Sequence, residues 1–78
     1  MRVQVFGTGC AACAALKANA EKAVAELGLP CGVELESRIL EMIQLGITEL
    51  PALVVDGEVR SVGRALDVAT VKAMLAHG

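Results

Sequence analysis

Two cysteines separated by two alanines, Cys10-Ala11-Ala12-Cys13, are the residues of this chain best placed to do chemistry. They follow a short valine-rich run and open a long alanine-rich segment. If the run is a strand and the segment a helix, the pair lies at a helix N-terminus. There, free amide N–H groups and the macrodipole favour negative charge and ease ionisation of a thiol. A thiolate is the attacking species in disulfide exchange and also the metal-binding form of cysteine, so the motif alone supports both chemistries.

The flanking sequence supplies elements that would position the pair. Arg2 to Phe6 alternates polar and apolar residues and reads as a strand, and Gly7-Thr8-Gly9 as a turn. From Cys10 to Leu27, the positions Cys13, Leu16, Ala20, Val24 and Leu27 recur at steps of three and four and draw one buried helical stripe. Lys17, Glu21, Lys22 and Glu26 form the opposite, solvated face. Gly28 followed by Pro30 stops the helix.

Beyond it, Cys31 to Leu35 reads as a second strand. Ser37 is the expected cap of a second helix carrying Ile39, Leu40, Met42 and Ile43, which ends at Gly46. Two β-rich runs between Thr48 and Val62 flank Asp56-Gly57, the pair preferred in a tight type I′ hairpin. Asp67 caps a last helix with Val68, Val71, Met74 and Leu75 on its inner face. A long helix between the first two strands implies a parallel crossover, and the hairpin adds antiparallel strands to the same sheet. The expected fold is α/β, in the order βαβαββα. It is a four-stranded mixed sheet with helices on both faces, built as one domain over residues 1–78.

Composition narrows the function classes. The chain is 55% hydrophobic, has a single Phe and no Trp or Tyr, and carries a formal charge of −2. It therefore offers neither a basic patch nor stacking aromatics for nucleic acid. No apolar run approaches a membrane span, and no leader pattern opens the chain. Three cysteines are an odd set, unlike a secreted disulfide scaffold; a cytoplasmic protein with one working pair and one spare thiol is the simpler expectation.

This element order, with Cys-x-x-Cys opening the first helix and Pro51 opening the third strand, resembles the thioredoxin/glutaredoxin superfamily. Within it, the chain is similar to the compact thioredoxin-like redox-active disulfide proteins. The match rests on Gly7-Thr8-Gly9-Cys10-Ala11-Ala12-Cys13, on Leu50-Pro51-Ala52-Leu53-Val54-Val55-Asp56-Gly57, and on Gly63. The resemblance implies that Cys10 is the exposed nucleophile and Cys13 the more buried resolving thiol. It further implies a cis Leu50–Pro51 bond packed beside the disulfide, with the backbone before Pro51 pairing to an extended substrate. The implied activity is that of a thiol–disulfide oxidoreductase on protein disulfides, a monomer served by a reductase or small-thiol donor, with no cofactor or metal.

The chain departs from larger thioredoxins in lacking a Trp before the first cysteine and Gly-Pro between the pair. It also has no acidic residue in its first two strands before Glu34, and no recognisable glutathione-binding residues.

The alternative reading is a small Cu(I)/Zn(II) carrier using Cys10 and Cys13. Such carriers share the glycine-rich loop before Cys-x-x-Cys, but usually place Met where this chain has Thr8, and they end in a strand. Among other residues, Cys31 reads as a small buried residue and His77 as a solvated tail residue. Lys17 reads as a surface charge, and Met42 and Met74 as packing residues. Glu49 and Arg64 flank the expected active-site edge.

Overall fold

The computed structural model describes residues 1–77, the last of them by its backbone alone. The elements run β1 (Val3–Phe6), α1 (Ala11–Leu27), β2 (Val33–Glu36), α2 (Ile39–Leu45), β3 (Ala52–Val55), β4 (Glu58–Val62) and α3 (Val68–His77). The strands form one mixed sheet in the order β2-β1-β3-β4. β1 runs parallel to β2 and antiparallel to β3, and β4 closes the hairpin against β3. This is the expected minimal thioredoxin-like architecture.

Strand alternation divides the core into two layers. Val3 and Val5 of β1, with Leu53 and Val55 of β3, point to one face and pack against Leu16, Ala20 and Val24 of α1 and Val71 and Leu75 of α3. Phe6, Ala52 and Val54 point to the other face, where Met42 of α2 covers them. The α1–α3 layer is further tied by Asn19, whose Nδ2 donates to the Leu66 carbonyl at 2.9 Å, and by a Lys72–Glu26 ion pair at 3.0 Å.

Helix ends follow local chemistry. Gly28 adopts a left-handed conformation (φ 66°) that ends α1, while Leu29 N–H returns to the Val24 carbonyl at 3.1 Å. Asp67 caps α3 as expected, its Oδ1 accepting the Thr70 N–H at 2.8 Å. Hydrogen bonds from Thr70, the side chain first and the backbone second, hold the Asp67 carboxyl below the ordinary aspartate range. Asp56 and Gly57 both take positive φ (52° and 79°), as the Asp-Gly turn requires.

Two expectations are corrected between β2 and α2. β2 begins at Val33, not Cys31, because its parallel register starts with Val3↔Val33 and ends with Phe6↔Glu36. The length of β1 thus sets the length of β2. Arg38, not Ser37, occupies the N-cap position of α2, and no side chain caps that helix by hydrogen bonding. Its first turn is supported by Arg38–Glu41 at 3.3 Å instead. Of the apolar residues expected on α2, only Met42 is buried; Ile39, Leu40 and Ile43 are 69%, 74% and 68% exposed.

Candidate active site

The site is assembled at the end of the sheet where β1 and β2 finish. Gly7, just past β1, donates its N–H to the Glu36 carbonyl at 2.9 Å. The antiparallel ladder pairs Phe6 with Ala52, so one further step places Gly7 level with Pro51. Pro51 in turn accepts the Gly63 N–H at 2.8 Å. A row Glu36–Gly7–Pro51–Gly63 therefore crosses all four strands at one end.

Cys13 lies against this row. A Cβ added to Gly7 would come within 2.5 Å of Cys13 Sγ and 2.6 Å of its Cβ, so the absence of a side chain at Gly7 makes room for Cys13. Cys13 is 1% exposed, whereas Cys10 is exposed. Their sulfurs are joined in a disulfide, with Cα atoms 5.1 Å apart, inside the range a bridge spans.

Cys10 is also the N-cap of α1, its Sγ accepting the Cys13 N–H at 3.2 Å. Its carbonyl accepts the Ala14 N–H at 3.0 Å, the first helical bond. No acidic residue occupies the first turn, so the positive end of the helix faces this sulfur without a competing carboxylate. When the bond is reduced, a thiolate at Cys10 gains both that N–H and the dipole, the two effects that favour its ionised form.

The other sequence-predicted residues fall as follows. The Leu50–Pro51 bond is cis, with Pro51 buried and Leu50 half-buried. Glu49 lies with its carboxyl against Gly63, beside Pro51, and Arg64 is exposed immediately after that glycine. Lys17 pairs with Glu21 at 3.2 Å along the helix surface. Cys31 is a free, half-buried thiol before the start of β2, at the opposite end of the sheet from Gly7. Topology does not bring it to the pair. The His77 side chain lies outside the described residues. Met42 is buried and Met74 partly so, both packing against the core.

Sequence reasoning did not single out Gln4 or Glu36, and it read Gly7 only as part of the turn and motif before Cys10, not as the residue that makes room for Cys13. Gln4 is buried mid-strand in β1, and one carboxylate oxygen of Glu36 is buried with no hydrogen-bond donor. For Gly7, the signal present in the sequence was a glycine rather than a β-former directly after a strand, three residues before Cys10.

Residues 1–76 match a family model described as Thioredoxin domain. The chain belongs to the thioredoxin-domain family. It is also 40% identical over 75 residues to a protein named thioredoxin from Methanothermobacter thermautotrophicus, a match covering 96% of this chain and 97% of that protein. Family membership and the Cys-x-x-Cys disulfide together make this thioredoxin-family chain a thiol–disulfide oxidoreductase in the general sense. The metal-carrier alternative is not favoured. The last element is a helix rather than the strand that reading requires, and among the described residues no three His, Cys, Asp or Glu side chains gather as a ligand cluster. Among the same residues, no helix is long and apolar enough to cross a membrane.

Proposed function

We propose that this chain reduces protein disulfides through Cys10 as nucleophile and Cys13 as resolving thiol. The observation that carries the assignment is the unequal burial of the two sulfurs' residues at the start of α1: Cys10 is exposed and caps the helix, while Cys13 is sealed against Gly7. A bulky substrate disulfide can reach only the first.

The Cys10 thiolate attacks one sulfur of the substrate disulfide, forming a mixed disulfide and releasing the other substrate sulfur as a thiolate. Cys13 loses its proton and attacks Cys10 Sγ, which breaks the mixed disulfide and frees the second substrate thiolate. Two electrons pass to the substrate, and the chain is left with the Cys10–Cys13 bond. A reductase or a small thiol returns the pair to the dithiol, which suits a reducing, cytoplasmic setting. Leu50 and Pro51 line the proposed substrate strand. Leu50 is half-buried beside the Glu36–Gly7–Pro51–Gly63 row, where an extended segment would lie across from Cys10.

Reductant-dependent reduction of a protein disulfide such as that of insulin should be abolished in Cys10→Ser. Cys13→Ser should instead accumulate a mixed disulfide through Cys10, identified by peptide mass mapping. Full turnover in Cys10→Ser, or trapping through Cys31, refutes the role assignment.

A further inference from the structure

Of the five large apolar side chains that stand exposed among the described residues, four fall within one short stretch of chain: Leu35 on β2, and Ile39, Leu40 and Ile43 on α2. Ile39 and Ile43 are one turn apart and share a face of the helix, with Leu40 beside them. A groove of about 540 Å³ opens at Ile39 and Leu40, rimmed by Ser37, Arg38, Glu41 and Gln44. Arg38 is engaged by Glu41 at 3.3 Å and by Glu36 at 3.9 Å, so the rim charges pair with one another and the apolar centre is what lacks a partner. Clustered exposed apolar surface with a polar rim is the composition of a contact site.

The path of the chain ties this face to the disulfide. It leaves the active-site row at Glu36, forms α2, and rejoins the row at Pro51. Ile39 is three residues past Glu36, within about 11 Å of it. At the other end, Ile47 follows Ile43 by four residues, and Ile47 and Leu50 are half-buried against the same apolar cluster as Met42. Apolar surface thus leads from the α2 face through Ile47 to Leu50, which lines the proposed substrate strand. Size selects the occupant. Three aliphatic side chains at this exposure present a few hundred Å², well under the roughly 800 Å² per partner of a stable complex. A second copy held by this face alone would not persist, whereas brief redox encounters work at that size.

We propose that the α2 face of Ile39, Leu40 and Ile43 is a docking surface for protein substrates, taking apolar side chains that flank the disulfide being reduced. The inference rests on the reading of Cys10 and Cys13 as a protein-disulfide reductase, and adds the class of substrate: disulfides in apolar segments over those in polar ones. The three residues position the substrate and take no part in the exchange itself.

The test uses two synthetic peptides of equal charge, each closed into the same ring by one disulfide, whose tails beside the ring carry three leucines or three serines. Bis(2-hydroxyethyl) disulfide, too small to reach α2 from Cys10, is the control. Pre-reduced protein freed of reductant is mixed with each, and its oxidation is followed. The second-order rate constant for the leucine peptide should exceed that for the serine peptide about ten-fold. Leu40→Gln combined with Ile43→Gln should erase the difference, while its unchanged rate with the control shows that the fold and the cysteine pair are intact. Ile39→Gln alone should reduce the preference about three-fold. Equal rates for the two peptides, or a preference that survives in the double variant, overturn the docking surface, while reaction of the control leaves the cysteine exchange standing. A wild type that none of the three disulfides oxidises refutes the exchange and this inference with it. A dimer in sedimentation equilibrium that the double variant converts to a monomer overturns the proposal in favour of a second copy on this face.

Discussion

Gly7 carries no side chain because Cys13 occupies the space one would fill; a methyl group there would lie only 2.5 Å from sulfur. The neighbouring atoms are not the flexible end of a long side chain. They are the Sγ and Cβ of a residue fixed in the first turn of α1 and buried to 1% exposure. Gly7→Ala must therefore push α1 away from the sheet or force Cys13 off its rotamer, an overpacking cost of about 1–3 kcal/mol. Urea denaturation of the oxidised protein should show that loss. In the same variant, Cys13 should become measurably more reactive to a small alkylating thiol reagent after reduction, because the contact that seals it has been displaced. Unchanged stability and unchanged Cys13 labelling would mean that the turn relaxes around the methyl and that Gly7 does not control the resolving thiol.

At the scale of the element, the clearest test is the N-terminus of α3. Asp67 has its carboxyl pKa lowered by Thr70, and Glu34 has its own lowered by the hydrogen bond from Arg2 on the other side of the sheet. A carboxylate whose folded pKa lies below its unfolded value adds stability above the ordinary carboxyl range, and that stability is lost as pH falls through the folded value. Thermal melts should thus show Tm flat near neutrality and declining on the acid side. Asp67→Ala should lower Tm by several degrees at neutral pH and by progressively less in acid, where the wild type has lost the same interaction. A constant difference across the range would assign the effect to something other than the ionised cap. This cap, the α1 stripe and the Asp56-Gly57 turn were legible in the sequence because each is decided by residues within a few positions of one another. The β2–α2 junction was not. Where β2 begins is set by its register with β1, and which residue starts α2 is set by how the chain leaves Glu36. The disulfide pair, Leu50–Pro51 and Gly7 as part of the motif were legible from motif and resemblance, while the packing of Gly7 on Cys13 and the burial of Gln4 and of one Glu36 oxygen depend on how α1 and the strands assemble.

Across the whole molecule, the two faces of the sheet are unequally covered. One carries a seventeen-residue helix and a ten-residue helix that pack on each other and on four buried strand residues. The other carries only the seven-residue α2, which inserts Met42 and leaves three large apolar side chains in water. Short helices have little stability of their own and depend on tertiary packing, so α2 rests on that one inserted side chain and the partly buried Leu45. The disulfide, by contrast, is attached to α1 and thus to the thick layer. These layers should open separately. In native-state hydrogen exchange, the amides of α2 should exchange through a local opening well below the global unfolding free energy, while those of α1, β1 and β3 exchange only with global unfolding. Met42→Ala should accelerate α2 exchange, with a loss of about 2–5 kcal/mol distributed between local and global opening. Protection at Leu16 and Leu53 should fall only by the global share. Disulfide reduction by that variant should change far less than α2 protection, since backbone bonds rather than α2 tie Gly7 to Glu36 and Gly63 to Pro51. If α2 and α1 amides instead lose protection in step, the two layers are a single cooperative unit and the thin layer supports the active-site end directly.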